Sequence, residues 1–332
     1  MNSSSAPSVC ITRNLPFSPE RVFDAWLDPT FAAKWLFATP EGEMIRAETD
    51  PRVGGHFTFT ERRGGEDVEH TGEYLEISRP SRLVFTFGVP KYSADVSQVT
   101  VEIQPRGEGC TVTLTQTVAP QWAAFKHRSQ LGWITILEGL AACLGDPQAA
   151  LNRQPGDASQ PGEVRFIRLM PGPIERVWDY LTDPDKRSQW FAGGPMELRE
   201  GATLQLLFRH GLLSPDENPP EKYREVHEPG VPMKGRITQC EPPHRLGFTW
   251  EGETAEQESA VVFELFPEGN EVRLILTHRC LGSEHERADV SSGWHIHTAF
   301  LHARLSGNTP PPLWAACEKL DAEYRKRLHL VS

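Results

Sequence analysis

The sequence predicts an α+β protein with two tandem domains, each a curved antiparallel sheet wrapped on a long C-terminal helix. Three observations lead to this fold class. The chain repeats itself once, each copy contains segments in which apolar and polar residues alternate, and each copy closes with an apolar stripe at helical spacing. The length of 332 residues also fits about two domains.

The internal repeat is the most specific of these observations. Residues 16–29 read PFSPERVFDAWLDP, and residues 171–184 read PGPIERVWDYLTDP. Further along, the dipeptide Gly-Trp that begins at Gly132 recurs at Gly293. A repeat of this length is a duplicated domain rather than a solenoid, because each copy is long enough to bury its own core.

Each copy begins with a short strand, residues 10–15 or 164–170, followed by two short helices. The first helix has a proline near its first turn, where the missing N–H costs nothing. An Asp-Pro pair then supplies the N-cap and first residue of the second helix, which ends near a tryptophan. These residues are Pro19, Asp28, Pro29 and Trp35 in the first copy, and Pro173, Asp183, Pro184 and Trp190 in the second.

The middle of each copy alternates with a period of two, which is typical of antiparallel strands with one face in the core. A long helix then closes the copy, and we expect sheet and helix to enclose one core. The alternating residues include Leu83, Phe85, Phe87, Val99, Val101 and Ile103, and then Leu246, Phe248, Trp250, Val261, Phe263 and Leu265. The helix stripes are Trp133, Ile136, Leu137, Leu140 and Leu144, and then Trp294, His297, Leu301 and Leu305.

The repeat also sets the domain bounds. We expect one domain at 8–146, a linker rich in proline and glycine at 147–162, a second domain at 163–306 and a helical tail at 307–332. The second copy carries a polar insert, 209–230, which is either a tolerated surface loop or a functional one. The amphipathic tail either docks on a domain or forms a homodimer contact.

Composition limits the partners and the location of the protein. The net charge of −11 argues against nucleic acid and anionic membrane surfaces, because both need a concentrated basic patch. No apolar run approaches the roughly 20 residues that span a bilayer, and the first residues lack the pattern of a secretion signal. The six cysteines show no CxxC spacing. We therefore expect a cytoplasmic globular protein that binds neither nucleic acid nor membrane.

Several motifs together resemble the Activator of Hsp90 ATPase homologue 1-like family, within the START-like, Bet v 1-like (SRPBCC) helix-grip superfamily. They are ERVWDYLTDP at 175–184, the Trp-Phe after it, PPHRLGFTW at 242–250, and the Leu-Thr-His that ends at His278 before the Gly-Trp helix. The resemblance covers roughly residues 8–145 and 163–306. It implies the helix-grip fold, in a superfamily that holds ligand carriers, polyketide cyclases and aromatases, and co-chaperone domains.

One part of the family pattern is missing from this sequence. The eukaryotic co-chaperone carries a separate amino-terminal domain that engages Hsp90, and nothing in this chain resembles that domain. Two fused START-like copies are expected instead. The resemblance therefore implies the fold, but it does not imply an interaction with Hsp90.

In a helix-grip fold, inward-facing polar residues are the first candidates for ligand contacts. His278 ends the inward row of the last strand, and His297 lies three residues after Trp294 on the helix stripe. Such imidazoles either orient a ligand, act as general bases, or only bind a nearby backbone carbonyl. Arg209 and His210, at the insert, are further candidates. The expected apolar wall consists of Trp190, Phe248, Trp250, Phe263, Trp294 and Leu301.

The sequence gives no sign of a metal or cofactor site. His295 and His297 lie about 200° apart around the helix axis, and His295 and His302 are two turns apart, so neither pair can bind one ion alone. The sequence has no GxSxG, no phosphate-binding glycine loop with lysine and no HExxH. We therefore expect no metal and no cofactor, and the sequence assigns no catalytic residue.

Three functions follow as hypotheses. In the first, the second domain binds a small, largely apolar ligand, and the first domain, with Ile136 in place of His297, is a filled structural partner. In the second, the protein is a cyclase-like or hydrolase-like enzyme that uses His278 or His297 as acid and base. In the third, it is a chaperone or other protein-interaction module, which requires an exposed apolar patch.

Overall fold

The computed structural model describes residues 8–39, 41–251 and 258–330. The chain divides into two compact units, 1–150 and 151–332. Each unit contains one antiparallel sheet and one long helix, so the predicted fold class is confirmed in both copies.

The first domain has one antiparallel sheet of seven strands. The strands are β1 (Ser8–Leu15), β2 (Glu43–Thr49), β3 (His56–Arg63), β4 (Glu66–Ser78), β5 (Arg82–Phe87), β6 (Ser97–Arg106) and β7 (Gly109–Thr117). Their order in the sheet is β1-β7-β6-β5-β4-β3-β2. The helices are α1 (Pro19–Leu27), α2 (Pro29–Ala32), the long α3 (Lys126–Leu144) and α4 (Pro147–Asn152), with a 3₁₀ turn at Pro120–Phe125.

The second domain repeats this plan with six strands. They are β8 (Glu163–Pro171), β9 (Thr203–Phe208), β10 (Val231–Glu241), β11 (Arg245–Trp250), β12 (Ser259–Glu268) and β13 (Glu271–Arg279), in the order β8-β13-β12-β11-β10-β9. The helices are α5 (Ile174–Thr182), α6 (Pro184–Arg187), α7 (Arg224–His227), the long α8 (Glu284–Ser306) and α9 (Leu313–Arg327). Short 3₁₀ turns lie at His210–Leu212 and Glu221–Tyr223.

The predicted Asp-Pro helix starts are confirmed. Asp28 Oδ1 accepts hydrogen bonds from the backbone N–H groups of Thr30 and Phe31, and Asp183 Oδ1 does the same two and three residues further on in its helix. These backbone donors hold the pKa of the Asp183 carboxyl below its usual value. The caps set where the chain turns toward Trp35 and Trp190, both of which are buried.

Equivalent positions in the two sheets can be paired through two glycines. Gly72 on β4 and Gly235 on β10 each lie so close to a backbone carbonyl, of Thr86 and Thr249, that a Cβ atom would collide with it. The strand residue opposite Gly72 is Phe57, and the one opposite Gly235 is Leu204. Phe59 in the first domain therefore corresponds to Leu206 in the second.

One segment, the linker, differs from what the sequence indicated. The expected irregular linker begins as a helix, α4, because Asp146 accepts a hydrogen bond from the N–H of Gln148 and Pro147 follows it, which is the same Asp-Pro start as in α2. The tail forms α9, which packs on α8 of its own domain and buries Leu313 and Trp314. No helix in the described ranges is long and apolar enough to cross a membrane.

Candidate functional site

A chain of hydrogen bonds crosses the interior of the second domain beneath α8. Trp294 Nε1 donates to His278 Nδ1 at 3.1 Å, and His278 Nε2 lies 2.8 Å from Ser259 Oγ. Ser259 Oγ in turn donates to the carbonyl of Trp250 at 3.5 Å. His278 and Ser259 are both buried, so each polar atom of this relay finds its partner within the protein.

The first domain contains the same relay with glutamine in place of histidine. Trp133 Nε1 donates to Gln116 Oε1 at 2.8 Å, and Gln116 Nε2 donates to Ser97 Oγ at 2.8 Å. Ser97 Oγ then donates to the carbonyl of Phe87 at 3.3 Å. Because the first domain uses a side-chain amide that does not change its protonation state near neutral pH, the relay itself is a structural element in both domains.

The relay sets the tautomer of His278. An indole N–H can only donate, so His278 Nδ1 must be the acceptor and Nε2 must carry the proton. Burial lowers the pKa of His278 to about 3, which keeps the ring neutral. His278 therefore donates to Ser259 and cannot take its proton, so the pair lacks the polarity of a Ser-His nucleophile.

A small apolar cavity lies beside this relay, between α5, the turn after α6 and the sheet. Its volume is about 10 Å³, which is close to the space that one water molecule needs. The lining residues are Leu181, Arg187, Trp190, Phe191, Met196, Leu206, Leu246, Phe248 and Phe263. Among the residues predicted as a ligand wall, Trp190, Phe248 and Phe263 line this cavity.

The cavity walls differ between the two domains. Leu181 and Leu206 stand where the first domain has Trp26 and Phe59, so the second domain has smaller side chains at two places of the wall. At a third position the second domain has the larger side chain, because Arg187 replaces Ala32. Arg187 fills part of the volume that the two leucines leave free. The second interior is therefore nearly filled, but by a different set of side chains.

Arg187 is a buried cation held by backbone carbonyls. Its guanidinium donates to the carbonyls of Thr182 and Ala192 at 2.9 Å each, and also to the carbonyl of Gly194. Burial lowers the pKa of Arg187 to about 10, and the charge of Asp183 opposes this shift. These bonds tie the turn after α6 to the end of α5 and so fix one wall of the cavity.

The two histidines near the insert lie together. His297 is buried, and its Nδ1 donates to the carbonyl of Trp190 at 2.7 Å, which leaves Nε2 as an acceptor. The ring of His210 lies 5.1 Å from that of His297. Burial lowers the pKa of His297 to about 4 and that of His210 to about 3, so both rings are neutral near pH 7.

The remaining predicted wall residues lie around this pair. The Phe191 ring is 4.9 Å from the Trp294 ring, 5.2 Å from the His297 ring and 6.0 Å from the Trp250 ring. Leu301 is fully buried on α8. Arg209 is exposed at the start of the insert, so the structure places this predicted ligand contact outside the interior.

Several residues of the site were not predicted from the sequence. For Phe191, the only signal in the sequence is the Trp-Phe motif. Arg187 gives no such signal, because the first copy has Ala32 at the equivalent position. In the first domain, His70 is buried, its ring stacks on Phe37 at 4.5 Å, and burial lowers its pKa to about 4. Its Nδ1 has no hydrogen-bond partner in the part of the chain that the structure describes.

The site contains no metal-binding arrangement of protein ligands among the described residues, where no three His, Cys, Asp or Glu side chains are placed to hold an ion. His295, which the sequence placed on the same helix as His297, instead bonds to the Tyr324 hydroxyl at 3.0 Å. Around the cavity, the side chains offer apolar contact, hydrogen bonding by neutral imidazoles and the guanidinium of Arg187, which already donates to backbone carbonyls.

Two helix-grip domains, each with a tryptophan relay beneath its long helix, define a tandem START-like protein. A family model described as Activator of Hsp90 ATPase homolog 1-like protein matches residues 16–145 and 171–306. The chain belongs to this family. No curated protein matches the sequence.

Solved structures similar to this chain come from several bacteria. The protein encoded by BPP1335 of Bordetella parapertussis is 39% identical, covers 55% of this chain and 94% of its own, and has a TM-score of 0.47. The AHSA1-like protein of Aeromonas hydrophila is 24% identical, with coverages of 42% and 92% and a TM-score of 0.37. DynU16, described as a putative protein in the dynemicin biosynthetic locus, is 16% identical, with coverages of 95% and 98% and a TM-score of 0.35.

Proposed function

We propose that the second domain binds a small, largely apolar ligand in its interior, in the space enclosed by the sheet, α5, the turn after α6 and α8. The observation that carries this proposal is the apolar cavity of about 10 Å³, which lies among aromatic side chains. The ligand would enlarge this space by displacing side chains such as Phe191 and Phe263. Such a pocket is a minor conformation that a ligand stabilises, and the apparent affinity falls by the fraction of molecules that are open.

The polar contribution to binding would come from His297 and His210 rather than from His278. All four polar groups of the His278 relay are already paired, whereas His297 Nε2 is an acceptor, and the two His210 ring nitrogens have no partner within the described ranges. A ligand hydroxyl or amide could donate to these neutral rings. This division supports an apolar body with one hydrogen-bonding end as the ligand class.

The test uses the full-length protein and one matched pair of variants. Leu206→Phe introduces the side chain that the first domain has at this position, and Phe59→Leu makes the reverse change in the first domain. Thermal shift and native mass spectrometry with a panel of apolar aromatic compounds should show binding to the native protein and to Phe59→Leu. Leu206→Phe should lose it, because added volume in a nearly filled core excludes the ligand.

Two results would argue against this proposal. One is that no compound of the panel stabilises or co-purifies with the native protein. The other is that Phe59→Leu removes binding while Leu206→Phe retains it, which would move the site to the first domain. Each result can be read separately, because the variants change different domains.

An interaction module is the second candidate function, favoured by one surface of the first domain. Tyr92 and Val96 are 67% and 68% exposed, and Phe125 is 43% exposed. Asp95 joins their two segments, since Trp122 Nε1 donates to its carboxylate at 2.7 Å. A Tyr92→Ser/Phe125→Ser protein that captures the same partners from a lysate as the native protein would remove this candidate.

We further propose that the protein works in the cytoplasm. We also propose that it does not bind nucleic acid, and the net charge of −11 supports this second point. An interaction with Hsp90 is not part of the proposal. A homodimer through α9 stays a prediction, and the burial of Leu313, Trp314 and Tyr324 within the domain leaves less of that helix for a partner. Cell fractionation and light scattering test the location and the oligomeric state.

A further inference from the structure

The insert 209–230 connects β9 to β10, the hairpin at the edge of the second sheet. In the first domain, the equivalent strands β3 and β4 are joined by a tight turn at Gly64 and Gly65. The fold therefore does not require the insert. Its contacts with the tail, which the first domain also lacks, give it a separate purpose.

Trp314, at the start of α9, packs against residues of the insert. Its indole stacks on Tyr223 with 5.1 Å between ring centroids and an interplanar angle of 20°. Trp314 Nε1 donates to His227 Nδ1 at 3.2 Å, and the ring of His210 lies 5.5 Å away. Only 3% of Trp314 is exposed, so three insert residues together enclose this side chain.

Glu217 provides a second connection between insert and tail. Its carboxylate accepts hydrogen bonds from the backbone N–H groups of Trp314 and Ala315, both at 3.1 Å, and from the Ser214 hydroxyl. Pro312, the residue before α9, offers no side-chain cap. An acidic group at a helix N-terminus stabilises that end, so the insert itself caps α9.

A path of contacting aromatic rings leads from Trp314 to the apolar cavity. Successive ring contacts lead inward from Trp314 to His210 at 5.5 Å, to His297 at 5.1 Å and to Phe191 at 5.2 Å, and Phe191 lines the cavity. Phe208 flanks the same path, 6.0 Å from His210 and 5.1 Å from Phe191. Opening the insert would expose this row of rings from its outer end.

The packing of the insert against the tail carries an energetic cost, because it buries polar atoms of His210. Both ring nitrogens of His210 are buried without a hydrogen-bond partner in the described segments. A buried polar atom without a partner opposes the conformation that buries it. The insert ends at Gly230 and the tail begins at Gly307, and both glycines have a positive φ, 107° and 69°, where the backbone can change direction.

We propose that the insert and Trp314 form a lid that closes the second domain, and that ligand reaches His210 and His297 when Trp314 leaves Tyr223 and His227. This inference rests on the ligand site proposed above. It assigns the tail a regulatory role, because any ligand must compete with the closed lid for the same ring surfaces.

The test uses the full chain with Trp314→Ala and Glu217→Gln, and Trp122→Ala in the first domain as the matched tryptophan control. Amide exchange of peptides from 209–230 should rise by about tenfold or more in Trp314→Ala, less in Glu217→Gln, and not in Trp122→Ala. Strands β12 and β13 should keep their native exchange. The association rate of the fluorophore 8-anilinonaphthalene-1-sulfonate should rise by a similar factor in Trp314→Ala.

Unchanged exchange of 209–230 in both variants would overturn the lid, as would an equal rise across β12 and β13, which would make Trp314 an ordinary core residue. An unchanged association rate despite faster exchange would also overturn it. If exchange rises and the fluorophore binds neither protein, the lid motion stands and the proposed ligand site fails. The two proposals can thus be tested separately, because amide exchange reports on the lid without a ligand, whereas fluorophore binding reports on the ligand site.

Discussion

Gln116 and His278 accept the same hydrogen bond in their respective domains, from Trp133 Nε1 at 2.8 Å and from Trp294 Nε1 at 3.1 Å. Each then reaches a serine on the neighbouring strand at 2.8 Å. The amide and the imidazole differ in one property, since only the imidazole can bind a proton as the pH falls below its ordinary pKa of 6.5, which it does once unfolding exposes it. This difference makes His278 the place where the role of the relay can be tested.

His278→Gln should retain the fold and lose part of its sensitivity to acid. At pH 7.5 the free energy of unfolding should change by less than about 1.5 kcal/mol, because glutamine makes both hydrogen bonds in the first domain. Between pH 6 and 4, the slope of the free energy of unfolding against pH should fall by about 1.4 kcal/mol per pH unit. The reason is that the variant has no imidazole at this position to bind a proton when the chain unfolds. Urea titrations read by amide exchange of β12 and β13 measure both.

His278→Ala is the matching control, because it leaves Trp294 Nε1 and Ser259 without their partner. It should lower the free energy of unfolding by about 2–4 kcal/mol at pH 7.5. Equal losses in His278→Gln and His278→Ala would contradict the structural role of the relay.

The second domain should be more sensitive to acid than the first. In the second domain, burial lowers the pKa of four histidines, to about 3 for His210, His278 and His295 and to about 4 for His297. In the first domain, burial lowers the pKa of His70 to about 4. A lowered histidine pKa stabilises the fold fully above the ordinary value of 6.5, and this contribution is lost as the pH falls from 6.5 toward the folded pKa. At pH 5 each such histidine costs about 2 kcal/mol.

Amide exchange at pH 7.5 and 5, corrected for intrinsic rates, can follow the two domains in one sample. Protection of β12 and β13 should fall while that of β6 and β7 largely persists, because a stability of roughly 5–15 kcal/mol does not survive several such losses. Simultaneous loss of protection in both sheets would show that the buried histidines do not control acid unfolding.

Arg187 should be essential for the stability of the second domain. Arg187→Met leaves the carbonyls of Thr182, Ala192 and Gly194 without their donor, and we expect a loss of about 3–5 kcal/mol in the free energy of unfolding. Arg304→Met is the control, because Arg304 bonds to the carbonyl of Gln189 in the same turn, but this hydrogen bond is exposed to solvent. It should cost less than about 1 kcal/mol by urea-dependent exchange of β12 and β13. Similar losses in the free energy of unfolding in the two variants would show that Arg187 stabilises the second domain no more than Arg304 does.

The architecture could be predicted from the sequence because its signals are local or repeated. The Asp-Pro caps at Asp28 and Asp183 and the strand alternation depend on neighbouring residues, and the duplication shows each signal twice. The relay could have been found in the same way, since Ser97 and Ser259 have the same spacing from each other as Gln116 and His278. The prediction that His278 contacts a ligand rested on its position in the inward row alone, which does not show that Ser259 and Trp294 already bind both ring nitrogens.

The closed interior and the insert-tail contact could not be predicted in this way. Whether a cavity remains depends on how Leu181, Leu206 and Arg187 fill one another's space, which is a property of the packed core. Glu217 and Trp314 are 97 residues apart in the chain, and the first domain has no copy of either segment. Neither periodicity nor repetition therefore indicated that contact.

The most direct test of ligand binding in the second domain is methyl NMR of the full-length protein during titration with 8-anilinonaphthalene-1-sulfonate. The expected result is saturable shifts of the Leu181, Leu206 and Leu246 methyl groups, which line the cavity, without comparable shifts at Leu83 and Leu114 of the first domain. Shifts confined to exposed residues, or of equal size in both domains, would contradict a ligand site in the interior of the second domain.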